Sequence, residues 1–265
     1  MLNLMLAPKL EKNNIALFLD FDGTLVEIAS TPEAVRVENN TIDLLEDIQR
    51  GLSGAFSLVS GRHFESIASL LDVNEYICAC EHGSDIVLPS PLKYLEKNIL
   101  PSDTGHTVSV LKKIEYVKEE VRGFSEQHGL ICEIKKTSAT IHYRLHPELE
   151  GGVKNFINGF KEGGDDFSVL SGKEIVEIRF ESANKGTAIE NLMALPPFKN
   201  RTPLFIGDDI TDEYGFSFVN NYSSVLLNGV TTYGLSYHVG DGETCAKHRL
   251  KDVAHVHQFL RGLLI

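Results

Sequence analysis

Apolar positions along the chain fall into two patterns that take turns. Ile15 to Leu19 is an unbroken apolar run halted by Asp20-Phe21-Asp22-Gly23, the mark of a strand buried on both faces that opens into a polar loop. Phe56 to Val59 runs in the same way into Ser60-Gly61-Arg62, and Leu204 to Ile206 into Gly207-Asp208-Asp209. Between and after these runs the spacing becomes helical, with Ile42, Leu45, Ile48 and Leu52 on one stripe and Phe64, Ile67 and Leu71 on another. Strand, polar loop and helix repeated in this order predict an α/β fold, a doubly wound, Rossmann-like parallel sheet with helices on both faces.

The middle of the chain reads differently. Val108, Leu111, Ile114, Val117, Val121 and Phe124 fit an amphipathic helix, followed by strand-like Leu130 to Lys135 and Ala139 to Leu145. Val153 to Phe160 reads as a second helix, and Phe167 to Leu170 with Glu174 to Phe180 as a last pair of strands turning at Ser171-Gly172. Residues 94–178 are therefore expected to form an α+β insertion in a discontinuous core made of 1–93 and 179–265. Strand alternation puts Glu133 with Lys135, Thr140 with His142 and Arg144, and Glu177 with Arg179 on polar faces, as any half-exposed antiparallel sheet would.

In open α/β sheets ligands bind beyond the carboxyl ends of the strands, where this chain carries Asp20, Asp22, Ser60, Arg62, Asp208 and Asp209. Asp20 and Asp22 stand two apart and leave the strand on one side, with Phe21 turned inward. Two carboxylates so close repel, and a hard divalent cation such as Mg2+ relieves that repulsion. Without such a cation the stretch is a polar loop with Gly23 as its turn. Ser60 is by itself an ordinary helix N-cap, yet it also offers a hydroxyl and an amide at a helix start that favours anions. Lys185, in Asn184-Lys185-Gly186-Thr187, reads alone as a surface lysine; a carboxylate attacking an anionic phosphate would need such a charge beside it. Asp208, Asp209, Asp212 and Glu213 crowd four acids into seven residues, and helix capping accounts for Glu213 but not for Asp208.

Composition narrows the choice. At 265 residues there is room for one large or two modest domains, and 42% hydrophobic with 23% charged residues is ordinary for a soluble globular chain. No apolar run nears the ~20 residues of a membrane span, and Met1 to Pro8 lacks the basic start and cleavage pattern of a signal peptide, so a cytoplasmic protein is expected. Cys78, Cys80, Cys132 and Cys245 form no CxxC pair and are expected as reduced, mostly buried thiols. A net charge of -12 argues against nucleic acid and anionic membranes as partners, and an anionic substrate then requires a local cationic site.

The ordered set Asp20-x-Asp22-Gly23-Thr24, Ser60-Gly61-Arg62, Lys185 and Gly207-Asp208-Asp209 resembles the four motifs of haloacid-dehalogenase-type phosphatases. Finer features resemble trehalose-6-phosphate phosphatases: Leu19 to Leu25, Cys80-Glu81-His82-Gly83, Glu133 to Arg144 ending His142-Tyr143-Arg144, Val176-Glu177-Ile178-Arg179, Asn184-Lys185-Gly186 and Gly207 to Glu213. The resemblance implies a Mg2+-dependent phosphatase acting on a small sugar phosphate, with a functional association with the synthase that makes trehalose 6-phosphate. It implies Asp20 as nucleophile, Asp22 as general acid and base, and Ser60 and Lys185 as phosphoryl contacts. Mg2+ would be held by the Asp20 carboxylate, the Asp22 backbone carbonyl and Asp208, with Asp209 and Asp212 supporting them. The insertion becomes a cap whose Glu133, Lys135 and Glu177 bind sugar hydroxyls, Lys136 competing with Lys135 for the lysine role. Gly61, Arg62, His82, Gly83, His142 and Arg144 complete the expected substrate contacts. Sucrose and mannosylglycerate phosphates are the neighbouring substrates, and a phosphomutase or a non-catalytic sugar-phosphate sensor the rival functions.

Overall fold

The computed structural model describes residues 14–29, 31, 34–95, 106–135, 138–160, 167–180, 184–225 and 231–264. The chain divides into two compact units, Met1–Ile99 with Asn184–Ile265, and Leu100–Ala183.

Unit 1 is built on a seven-stranded sheet. Its strands are β1 (Ile15–Leu19), β2 (Phe56–Val59), β3 (Ile77–Cys80), β4 (Asp85–Val87), β9 (Thr202–Gly207), β12 (Leu235–Val239) and β13 (His248–Leu250), in the order β13-β12-β9-β1-β2-β3-β4. All neighbours are parallel except β4, which returns antiparallel to β3. Every residue of β1, β2 and β3 is buried, as strands covered on both faces must be. Helices α1 (Asn39–Gly51) and α7 (Val253–Leu263) pack together, as do α5 (Lys185–Met193) and α6 (Glu213–Asn221). Phe18, Phe56, Phe205 and Phe216 lie fully buried in the one core these elements share. Register fixes the site: Leu19 stands beside Leu58 of β2 and Ile206 of β9, so the loops after these three strands leave the sheet side by side. A two-stranded ribbon, β10 (Ser223–Val225) with β11 (Thr231–Tyr233), forms a separate sheet against β9, where the Thr232 and Thr202 hydroxyls bond.

Unit 2 is an antiparallel sheet ordered β5-β6-β8-β7, from β5 (Ile131–Ile134), β6 (Ser138–His142), β7 (Phe167–Gly172) and β8 (Ile175–Phe180). One face packs on helices α3 (His106–His128) and α4 (Glu150–Gly159), with Val121, Ile141, Ile157, Val176 and Ile178 fully buried between them. The expected doubly wound sheet with an α+β insertion is what forms. Three details differ. The β7–β8 turn is Lys173-Glu174, because the ladder pairs Gly172 with Ile175 and Glu174 takes the left-handed φ of 62°. Strand β6 ends at His142, so Arg144 leaves the alternation and bonds Glu174 at the turn through its Nε at 3.0 Å. At the edges of the insertion, Leu95 is buried in the core of unit 1, whereas Arg179, still in the β8 ladder opposite Ser138 and Ser168, belongs to unit 2.

Ile178 touches no solvent in the centre of the second cluster. Ile178→Ala should remove about 2–5 kcal/mol from the stability of unit 2 through lost burial and the cavity left behind, measurable by urea unfolding. A change under about 1 kcal/mol would contradict this packing.

Candidate active site

Asp20 is the first residue past β1, its amide donating to the Ile206 carbonyl at 2.9 Å and its side chain almost wholly buried. Phe21 turns into the core, which sends Asp20 and Asp22 outward. The next turn closes through the Gly23 amide to the Val26 carbonyl at 2.8 Å. Gly23 has φ +78°, and a methyl group there would overlap the Asp208 carboxylate, so a side chain is excluded by both conformation and space. The buried Thr24 hydroxyl donates to Asp208 Oδ1 at 3.3 Å, binding the first loop to the loop after β9.

Lys185 opens α5. Asn184 caps that helix reciprocally: its side chain accepts from the Thr187 amide at 3.0 Å, and the Thr187 hydroxyl accepts from the Asn184 amide at 3.2 Å. Held there, Lys185 Nζ donates to Asp20 Oδ1 and Asp212 Oδ1, each at 2.7 Å. Asp212 touches no solvent, and its Oδ2 accepts from the amides of Asp208 at 2.9 Å and Asp209 at 3.0 Å. Asp209 turns outward to the Thr211 hydroxyl and amide. The supporting role expected of Asp212 takes this form, a carboxylate that joins Lys185 to the loop after β9. Its four-residue spacing from Asp208 was the available signal.

Oxygens of Asp20, Asp208 and Asp212 all come within 4.8 Å of one another. Burial pushes the Asp20 carboxyl up to about 7 despite Lys185, with Asp208 and Asp209 adding to the rise. Burial, then Asp212 and Asp209, lift Asp208 to about 6. Burial and the Asp20 charge lift Asp212 to about 8. Burial disfavours the Lys185 charge, but the carboxylates of Asp20 and Asp212 outweigh it and hold the ammonium above its usual range. An ion pair ordinarily lowers the acid's pKa; here burial outweighs the lysine, and the neighbouring acids add to the rise. Asp212 already accepts three bonds, so Asp20 and Asp208 are the carboxylates able to serve a hard cation, and this acid set fits one.

Ser60 is the first residue past β2, buried, its Oγ accepting from the Arg62 amide at 3.1 Å. Arg62 donates from Nε and Nη2 to the two oxygens of Asp22, at 2.6 and 2.7 Å. That pairing does not involve the Asp22 backbone carbonyl expected in the metal set. Gly61 lies under the His82 ring, which a methyl group would strike. Glu81, His82 and Gly83 all have positive φ, at 49°, 58° and 100°, so the loop after β3 is held in a costly shape. Its amides reach back to the Arg62 and Ser60 carbonyls at 3.0 and 2.9 Å, and Gly83 packs on the Asn184 carbonyl and Ala188. His82 and Gly83 thus brace Gly61 and the start of α5. His63, for which the sequence carries no motif, pairs with Glu81 at 2.9 Å.

In unit 2, register puts Glu133 opposite Thr140 and Thr140 opposite Glu177, one polar row across three strands. Lys135 and His142 flank Glu133 at 3.8 and 3.7 Å. Arg144 stands outside this row, and Lys136 outside the described residues.

The solved structure of a trehalose-6-phosphate phosphatase from Aspergillus fumigatus superposes with a TM-score of 0.65 at 24% identity, covering 95% of this chain and 93% of that one. A haloacid dehalogenase-like hydrolase from B. subtilis superposes at 0.53 and 13% identity, covering 94% and 99%. These likenesses place the fold in the haloacid-dehalogenase class, an α/β core with an inserted α+β unit. The family model described as trehalose-phosphatase matches residues 18–254. A probable trehalose-phosphate phosphatase of Sinorhizobium fredii is 32% identical over 217 residues, 81% of this chain and 77% of its own. The trehalose-6-phosphate phosphatase of Escherichia coli is 31% identical over 248 residues, 92% and 85% of the two chains. The chain belongs to the trehalose-phosphatase family.

Raised carboxyl pKa values set the direction of a pH effect. Free carboxyls lose their protons near 3.8, whereas Asp208, Asp20 and Asp212 hold theirs to about 6, 7 and 8 when folded. Their contribution to stability is complete below about pH 4 and is lost as pH rises through 6 to 8. In excess chelator the melting temperature should therefore fall between about pH 5 and pH 8. Asp208→Asn should flatten that fall, melt above wild type at about pH 8 in chelator, and gain less from added Mg2+. Calorimetric melts check this, and an unchanged slope in Asp208→Asn would contradict the acid crowding.

Proposed function

We propose that this chain hydrolyses trehalose 6-phosphate to trehalose and inorganic phosphate through an aspartyl-phosphate on Asp20. The observation that carries the reading is the buried Asp20–Lys185 pair at the end of the central strand, beside Asp208 and Asp212. Lysine beside the nucleophile screens the approach of one anion to another. An Asp20 oxygen bonds to phosphorus as the bond from phosphorus to the sugar oxygen breaks, and Asp22 gives that oxygen its proton. Asp22 then takes a proton from water, whose oxygen attacks phosphorus and frees Asp20. Ser60 and the start of α5 hold the other phosphoryl oxygens. The Asp20 and Asp208 carboxylates and the Asp22 carbonyl would hold Mg2+, whose charge offsets that gathering on the phosphoryl group.

Sugar recognition is assigned to the polar row of unit 2, with Glu133, Lys135, His142 and Glu177 bonding hydroxyls. Two things support a cytoplasmic setting: no described helix is long and apolar enough to cross a membrane, and all four cysteines are unpaired. Functional association with the synthase that makes the substrate follows from the shared intermediate alone.

Phosphate release from trehalose 6-phosphate is the direct test. Asp20→Asn should lower turnover by several orders of magnitude with the fold intact, and chelation should abolish a wild-type activity that Mg2+ restores. Near-wild-type turnover by the pure variant would exclude the nucleophile.

Glu133→Ala, Lys135→Ala and Glu177→Ala address recognition. Each should cost about tenfold or more in kcat/KM for trehalose 6-phosphate while hydrolysis of a small aryl phosphate changes little. Equal losses on both substrates would mean that the row is only a solvated face.

A further inference from the structure

The Arg62 fork occupies both oxygens of Asp22 in one plane, a geometry that fixes direction as well as distance. The guanidinium is itself fixed. Its Nη1 donates to the Ser66 hydroxyl at 3.1 Å, its central carbon stands 5.5 Å from the centre of the Phe21 ring, and its side chain is only 10% exposed. Phe21 is the residue whose burial turns Asp20 and Asp22 outward, so one ring sets both the aspartates and the cation. At the main chain, the Arg62 amide is bonded to Ser60 Oγ and its carbonyl to the Glu81 amide. Asp20 and Asp22 are therefore anchored to different parts of the unit, Asp20 through Lys185 to α5, Asp22 through Arg62 to the end of β2.

We propose that Arg62 is the positioning residue of Asp22, holding its carboxyl in the direction from which it serves the leaving sugar oxygen, in place of the substrate contact its motif suggests. This rests on the reading of Asp22 as the proton donor. A general acid works only within hydrogen-bond reach of its target, and among the described residues the fork is the side-chain restraint on Asp22, whose side chain is 36% exposed on a loop. A lysine in place of Arg62 keeps the positive charge and loses the planar two-point grip.

The test compares two esters. A sugar alcohol needs a proton to leave, whereas nitrophenolate departs as an anion. Arg62→Lys and Arg62→Gln should lower kcat on trehalose 6-phosphate by about 100-fold, with KM within about threefold of wild type. The rapid-mixing burst of nitrophenol from p-nitrophenyl phosphate, which reports the first bond exchange alone, should stay within about threefold. In the Asp22→Asn background either change should add little, because the group it positions is gone. If KM rises on both esters and the loss adds to that of Asp22→Asn, Arg62 holds the phosphate and the proposal is wrong. Arg62→Lys carries the comparison alone if Arg62→Gln does not fold. Wild-type protein inactive on both esters would remove the underlying phosphatase reading instead, and with it this role for Arg62.

Discussion

One buried ammonium group organises the site. Lys185 reaches from the first turn of α5 to two carboxylates, Asp20 on the loop after β1 and Asp212 before α6, and none of the three is more than slightly exposed. Buried ion pairs seldom pay for their own desolvation, so stability alone is a poor reason for this one. Chemistry is a better reason. If all ionise, the three carboxylates of Asp20, Asp208 and Asp212 with one lysine sum to a charge of -2, which a divalent cation brings to zero. A phosphate could then approach a centre that no longer repels it.

Around that charge the backbone is arranged with little tolerance. Gly23 lets the Asp208 carboxylate lie against the main chain, and Gly61 does the same for the His82 ring. Three successive left-handed residues, Glu81 to Gly83, hold a loop that ties the end of β2 to the start of α5. Strain of this kind persists only where the surroundings over-determine it. Here they do, because the same loop is bonded to Ser60 and Arg62 and packed on Asn184.

Much of this was legible in the sequence, for a physical reason. Strands buried on both faces are continuous apolar runs, so Ile15–Leu19 and Phe56–Val59 matched the structure residue for residue, and the polar residues stopping them had to emerge together. Short strands without such a run, such as β4, β10, β11 and β13, gave no comparable signal. The turn of β7 and β8 was misplaced because Ser171-Gly172 has the better turn composition, while the ladder lets Glu174 accept a positive φ. Arg144 was misassigned by extending alternation past the end of β6. The burial of Asp212 was not legible, because periodicity shows where a helix begins but not which acid at its start is buried. Nor could sequence reveal the Arg62 fork, which joins residues forty apart.

The two units carry opposite constraints, and that difference bears on how such a protein divides its work. A parallel sheet covered on both faces has no side to spare, so its chemistry is confined to the loops at its strand ends and is held there by the whole core. The sheet of unit 2 gathers its buried apolar side chains on one face, through Ile141, Val176 and Ile178. Its other face carries the polar row Glu133, Thr140 and Glu177, of which Thr140 is buried. Glu133 and Glu177 lie outside the buried cluster, so substitutions at these two positions leave both cores intact. A change beside Lys185, by contrast, leaves a buried charge without its partner, a loss that the stability of the site itself would register. The loops at the strand ends of unit 1 are therefore the constrained part of this architecture, and the polar face of unit 2 the adjustable one.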